Sequence, residues 1–228
     1  MTSKRVTQIA AVPQTPACGE ARMTVDWREH WETVYQTRAS TEVSWYQENP
    51  AKSREMIRRT GVSRIAPIID VGGGASRLVD YLIADGFSDL TVLDVSATAL
   101  QRARERVGPE ADQVTWIETD IRTWVPVRRF QVWHDRAVFH FLTEAADRQR
   151  YVAVLRAALA PAGHVVIATF GLDGPERCSG LLVRRYSALS LAAELGAGFA
   201  LVGEERESHV TPAGTVQQFQ YCWFRVEG

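Results

Sequence analysis

The sequence predicts an α/β fold: a mostly parallel sheet with helices on both faces, closed by an antiparallel C-terminal strand and preceded by a helical lid. Three observations predict it. From residue 65 onward, short apolar runs alternate with amphipathic helical stretches, the rhythm of parallel strands joined by crossover helices. A glycine cluster, DVGGGAS, lies between the first run and the first of those helices. The last two strand-like segments, FALVGEERES and VQQFQYCWFRV, are joined only by HVTPAGT, too short for a parallel crossover, so they must pair antiparallel.

Residues 1–23, with Pro13, Pro16 and Gly19, read as a disordered tail, and Met23 is a candidate natural start. The single domain then runs over 24–228, with lid helices in 24–62. In DWREHWETVYQ, Trp27, Trp31, Val34 and Tyr35 fall at i, i+4, i+7 and i+8, one aromatic face of a helix with Asp26 as N-cap. NPAKSREMIRRTG gives a second helix stopped by Gly61. IAPIIDV is the first strand, SRLVDYLIADG a helix, LTVLDV a strand, and SATALQRARERVG a helix capped by Ser96 and stopped by Gly108. VTWIETD and FQVWHD follow as strands, TEAADRQRYVAVLRAAL as a helix, GHVVIATF as a strand and SALSLAAELG as the last helix.

Composition bounds the function classes. The chain has 228 residues, enough for one well-cored domain, with 46% hydrophobic and 23% charged residues. A net charge of -1 offers no general attraction to a phosphate backbone, so no nucleic-acid partner is expected. No apolar run reaches the roughly 20 residues a membrane span needs, so no membrane partner is expected either. Three cysteines, Cys18, Cys178 and Cys222, without CxxC spacing suit a reducing cytoplasm better than a disulfide framework. No metal is required, and a monomer or weak dimer is expected.

Glycines in DVGGGAS let the backbone turn tightly and approach a ligand at a helix N-terminus. A nicotinamide-binding G-x-G-x-x-G would need glycine where Arg77 stands, which opposes an NAD-dependent oxidoreductase. An acid followed by G-x-G is met by Asp70, Gly72 and Gly74, with Gly73 between; Asp94 ends the second strand, beside Val95, where a carboxylate can accept from two ribose hydroxyls. With these residues and the reversed terminal strand, the chain resembles the class I S-adenosylmethionine-dependent methyltransferases over residues 26 to 227. The resemblance implies a three-layer, Rossmann-like, seven-stranded sheet and S-adenosyl-L-methionine as cofactor, leaving S-adenosyl-L-homocysteine. It further implies that Asp120 meets the adenine amino group, that Ile121 lies against the ring, and that LAPAGHVVI turns into the fifth strand.

The segment FQVWHDRAVFHFLT places His134, Asp135, Arg136 and His140 in an otherwise apolar run. Residues at the carboxyl ends of parallel strands line the ligand crevice, which puts this segment beside the reacting methyl group. It lacks the Asn-Pro-Pro-Tyr found in some methyltransferases acting on adenine or glutamine. It is similar instead to the D-R-G-x-F-H type of thiol, tellurite and thiopurine methyltransferases, with Ala137 replacing the glycine, and to a D-x-G segment of one lysine methyltransferase group. A hydroxyl or ammonium acceptor must lose a proton, and His140, then Asp135, then His134 are the candidates to take it. Arg136 pairs with Asp135 or binds an anionic substrate, the pair being preferred.

Tyr35 is expected to reach the methionine carboxylate and Trp31 to pack beside the cofactor, while Trp45, Arg136, Phe139 and Cys178 wall the substrate pocket; Trp27 is read as core. The long segment FGLDGPERCSGLLVRRYS faces the same end and brings Cys178, Ser179 and Arg184 toward it. The expected function is methyl transfer to a small molecule, a thiol or selenol being favoured. A protein-lysine N-methyltransferase is the rival within the class, and an NAD-dependent oxidoreductase or a non-catalytic cofactor-binding module the rivals outside it.

Overall fold

The computed structural model describes residues 26–227; the expected tail, with Cys18 and Met23, lies outside the described residues. Two helices come first, α1 (Trp27–Thr37) and α2 (Ala51–Arg59). The alternating part follows: β1 (Ile68–Val71), α3 (Leu78–Ala84), β2 (Leu90–Asp94), α4 (Ala97–Val107), β3 (Val114–Glu118), β4 (Phe130–Arg136), α5 (Ala145–Ala158) and β5 (Leu159–Phe170). A short hairpin, β6 (Arg177–Cys178) and β7 (Leu181–Leu182), precedes α6 (Ala188–Leu195), β8 (Phe199–Val210) and β9 (Val216–Val226).

Seven strands form one sheet in the order β3-β2-β1-β4-β5-β9-β8. The first five run parallel, and β9 pairs antiparallel with both β5 and β8. The reversed strand therefore lies inside the sheet and β8 forms its edge, and the short loop between the two makes their pairing antiparallel. Caps sit where the sequence puts them: Asp26 accepts from Glu29 N–H on α1, and Ser96 from Ala99 N–H on α4. The expected loop after β5 departs from expectation. Ser179 and Gly180, both at positive φ, close the tight β6–β7 hairpin, and Ser179 holds its φ of 50° without glycine's freedom.

Both faces of the sheet are covered. Tyr151 and Leu155 of α5 pack in one cluster with Trp133 of β4, joined by Leu191 and Leu195 of α6, while Ile57, Leu78, Leu82 and Leu100 cover the other face from α2, α3 and α4. A third cluster, including Phe141, Phe170, Phe219 and Tyr221, lies beneath the lid, and Trp27, Trp31 and Trp45 pack on it. Strand order reverses between β1 and β4, the switch point where a doubly wound sheet opens a crevice.

One buried network holds that crevice open. The Tyr151 hydroxyl on α5 accepts from Trp133 Nε1–H at 2.9 Å and donates to Asp135 at 2.5 Å, with all three side chains fully buried. Tyr151→Phe leaves a buried carboxylate and an indole N–H each short of a partner, a cost of about 1–3 kcal/mol. The expected outcome is a drop of roughly 5 °C in Tm for a domain of this size, read by thermal unfolding; an unchanged Tm would mean that both groups find other partners.

Candidate functional site

The β1 carboxyl end turns through Gly72, at φ +67°, into the glycine loop. A Cβ at Gly72 would collide with the Val138 side chain, and one at Gly74, at φ +42°, would sit 2.7 Å from Asp94 Oδ2 and 3.2 Å from the Tyr35 hydroxyl. The loop is glycine because three other elements crowd it. Its amides are turned inward, Gly72 and Gly73 N–H both donating to Leu93 O. Asp94, at the end of β2, is buried and accepts from Ser96 N–H at 2.9 Å. Burial pushes its carboxyl up to about 7, against the lowering effect of backbone N–H groups. Trp45 Nε1–H donates to Tyr35 Oη at 3.2 Å, which leaves the Tyr35 proton to be given elsewhere.

Gly72, Asp94, Tyr35 and Trp45 line one cleft. On its strand side are Gly72, Asp94, Val95, Asp120 and Ile121; α1 contributes Trp27, Trp31 and Tyr35 from successive turns. Trp45, Arg136 and Cys178 close the far wall together with Val138 and Phe141. Trp31 stacks edge-on with both Trp45, at 5.5 Å, and Phe141, at 4.9 Å, which makes that wall rigid as well as apolar. Asp70 and Gly73 line a second, adjoining cavity with Ser53 and His134. Asp120 is engaged by Arg122, whose Nε donates at 3.0 Å and whose backbone N–H donates at 2.8 Å. Those bonds hold the Asp120 carboxyl below its usual range in spite of burial.

The candidate catalytic residues are placed otherwise. Asp135 is fully buried behind the cleft, its carboxylate accepting from Val138 N–H at 2.9 Å and Phe139 N–H at 3.1 Å as well as from Tyr151. Burial raises it to about 6. His140 is fully buried in a 3-10 turn over Phe139–Phe141, its Nδ1 accepting from Phe170 N–H at 3.2 Å. Burial first, then Arg136, pulls its imidazole down to about 3, so it stays neutral. Neither side chain lines the cleft. Phe139, expected in the substrate wall, packs instead in the core on Tyr151 and Tyr186. Phe139 and His140 share one reason, since after Asp135 the chain turns at Ala137, at φ 73°, into the 3-10 turn, whereas Asp135 is held inward on β4 by Tyr151 and the two backbone N–H groups.

Two further expectations are corrected. Arg136 does not pair with Asp135; its Nη2 reaches Glu207 at 3.4 Å. Trp27 is not simply core, since it faces the cleft with the Arg122 guanidinium 5.6 Å from its ring centre, as its i, i+4 spacing with Trp31 already signalled. Cys178 lines the cleft, buried, with burial raising its thiol to about 11; Ser179 sits in the hairpin turn and Arg184 pairs with Glu194.

Glu32 carries no sequence signal and closes the site. From α1 its carboxylate accepts from Ser96 Oγ at 2.7 Å, Thr98 N–H at 3.3 Å and the Thr98 hydroxyl, at the N-terminus of α4. These bonds outweigh burial and lower its pKa. The latch ties α1, which lines the cleft, to the start of α4.

Two outcomes follow from this geometry. Hydroxyl donors from a ligand pull the raised Asp94 pKa down, so binding releases a proton near neutrality. S-adenosylhomocysteine affinity therefore rises as pH goes from 6 toward 7 and levels off above 8, by at most about tenfold per pH unit. Calorimetry in buffers of different ionisation heat reads it, and Asp94→Asn should abolish the slope; a slope that survives would place the titrating group elsewhere. Glu32→Gln weakens the latch by about 1 kcal/mol, which raises the dissociation rate of S-adenosylhomocysteine roughly fivefold in stopped-flow chase experiments. An unchanged rate would mean that α1 does not gate release.

A model described as "Methyltransferase domain" matches residues 68–163. Nodulation protein S of Rhizobium tropici is 30% identical over 102 residues, 45% of this chain and 42% of that protein. Nodulation protein S of Rhizobium fredii is 30% identical over 117 residues, 50% of this chain and 66% of that protein. The matches thus span about half the length of these curated relatives. Among solved structures, N-methyltransferase NodS from Bradyrhizobium japonicum WM9 in complex with S-adenosyl-l-homocysteine superposes with a TM-score of 0.68 at 18% identity, covering 86% of this chain and 98% of that one. The 1,6-didemethyltoxoflavin-N1-methyltransferase of Burkholderia thailandensis gives 0.66 at 22%, covering 88% and 87%. A structure on the conversion of a disulfide bond into a thioacetal group during echinomycin biosynthesis gives 0.70 at 17%, covering 88% and 93%. The matched residues include the glycine loop, Asp94, Asp120 and Val138 but not Tyr35, which α1 brings to the cleft. Residues 68–163 thus match a methyltransferase domain, and the chain has the Rossmann-like fold of S-adenosylmethionine-dependent methyltransferases.

Proposed function

We propose that the protein transfers a methyl group from S-adenosylmethionine to a small molecule enclosed beneath α1. The observation that carries this reading is the continuity of one cleft from Asp94 and Asp120 to an aromatic wall of Trp31, Trp45 and Phe141. Asp94 accepts the ribose hydroxyls, Ile121 and Asp120 take the adenine, and Tyr35 with the glycine loop holds the methionine end. When bound, the cofactor supplies a methyl group on a positively charged sulfur, which the acceptor lone pair displaces in line. The chain's task is to align the acceptor at about 3–3.5 Å and exclude water. The aromatic wall does both.

The acceptor wall offers no free base. Its titratable groups are Cys178, raised to about 11, and Arg136, while the carboxylates of the cleft lie toward the nucleoside. An acceptor that sheds its own proton to water near neutral pH suits such a wall, which favours a thiol or selenol; Asp135 and His140 serve as supports of the turn. A nitrogen acceptor is the second reading, favoured by the likeness to NodS and by aromatic rings able to receive a cationic amine. Aromatic rings and Arg136 line the acceptor wall in place of carboxylates that would receive an ammonium group, which speaks against a protein lysine.

A methyl-transfer assay with labelled S-adenosylmethionine, cell extract and a panel of small thiols, selenols and amines tests this. Label is expected in the small-molecule fraction; label on precipitated protein would overturn the reading. Across thiols of different acidity, the pH midpoint of kcat should follow the acceptor's own pKa. A midpoint fixed near one value for all of them would reveal an enzyme base.

A further inference from the structure

A chain of buried hydrogen bonds runs from Asp70, beside the glycine loop, to Arg136, on the wall of the cleft. Asp70 Oδ1 lies 2.7 Å from His134 Nδ1, and His134 Nε2 lies 2.9 Å from Ser53 Oγ on α2. Ser53 Oγ is 3.3 Å from the Tyr221 hydroxyl on β9, which accepts from Arg136 Nε–H at 3.0 Å. Relative exposures are 5% for Asp70, 2% for His134, 1% for Ser53 and 0% for Tyr221. Asp70, Ser53, His134 and Arg136 all line the second cavity, and Arg136 lines the main cleft as well.

The donors can all point one way. Arg136 Nε–H donates to the Tyr221 hydroxyl, whose one proton is shared between Ser53 Oγ and the Glu207 carboxylate, each at 3.3 Å, while Ser53 donates to His134 Nε2 and His134 Nδ1–H to Asp70. A guanidinium stands at the donor end and a carboxylate at the acceptor end, so each bond polarises the next. Every link in this orientation satisfies a buried polar group that would be costly unpaired. The chain also spends only part of the guanidinium. Nη1 donates to Trp45 O at 3.1 Å, Nη2 makes the long 3.4 Å contact with Glu207, and the plane lies 4.2 Å from the Phe219 ring centre. Two of the five N–H donors an arginine carries remain without an acceptor in these contacts.

We propose that His134, Ser53 and Tyr221 are positioning residues that hold Arg136 on the acceptor wall, where its free N–H groups bind an anionic group, a thiolate or carboxylate, on the methyl acceptor. This rests on the small-molecule reading of the cleft. Ser53 and Tyr221 act through Arg136 and touch neither cofactor nor acceptor. The strand register supports the arrangement: Asp70 pairs with His134 across β1 and β4, and Arg136 follows two residues on, on the same face of β4.

Tyr221→Phe and Ser53→Ala each remove one hydroxyl with little change in volume. Benzoate serves as the anionic probe and benzyl alcohol as the uncharged control, both titrated with S-adenosylhomocysteine present. The Arg136 Nε–H resonance in the nitrogen–proton correlation spectrum is followed, assigned by its loss in Arg136→Lys. In the wild type, benzoate should shift this resonance and benzyl alcohol should not. Each variant should weaken benzoate about tenfold while S-adenosylhomocysteine affinity stays within about twofold, and the double variant should be no worse than Tyr221→Phe alone. Ser53→Ala should move the Arg136 signal although Ser53 does not touch Arg136. Additive losses, an unmoved Arg136 signal in Ser53→Ala, or benzoate binding equal in all proteins would overturn the proposal. If the protein methylates no small molecule, the activity assay fails while the resonance still reads the chain, so the two failures are distinct. Where an anionic thiol is turned over, KM should carry the loss and kcat at saturation should change little.

Discussion

The site depends on how β4 leaves the sheet. Asp135 receives two backbone N–H groups from the residues that follow it and a hydroxyl from α5, and these three bonds fix the turn at Ala137. That turn places Val138 against Gly72, so the loops after β1 and β4 confine each other. The confinement is what makes glycine necessary in one strand's loop and lets the other present Phe141 to the lid. A carboxylate that sequence reasoning offers as a reactant is here the anchor of the wall that shapes the reaction space.

The architecture was legible because it is written in local terms. Period-two and period-3.6 patterns, Ser96 and Asp26 as caps, and the short link before β9 each report on a few neighbouring residues, and the sheet follows from their order. The carboxylates of the cleft were legible for a related reason: Asp94 ends β2 and Asp120 follows β3, and strand ends of a parallel sheet converge. The acceptor half was not. His140 and Phe139 look exposed to the site in sequence, but one 3-10 turn reverses their direction, and no pattern in FQVWHDRAVFHFLT announces it. Glu32 and Ser53 depend on partners 64 and 81 residues away and leave no periodic trace at all.

Electrostatics divides the cleft. Its carboxylates, Asp94 and Asp120, gather at the ends of β2 and β3, while Arg136 and the aromatic faces of Trp31, Trp45 and Phe141 line the rest. Burial sharpens the division, since a carboxylate raised to about 7 gains most when a ligand brings donors to it. The same burial removes His140 from acid–base chemistry near neutrality. The cleft is thus strong in recognition and sparing in proton transfer.

Three of the seven tryptophans of the chain, Trp27, Trp31 and Trp45, stand in the cleft, while Trp133 is sealed in the core. An indole that faces a ligand changes its emission when polar groups or another ring replace water beside it. The lid therefore makes the protein its own optical reporter. Ligand arrival and departure are written in its native fluorescence, and the tryptophan in the core supplies a steady background against which to read them.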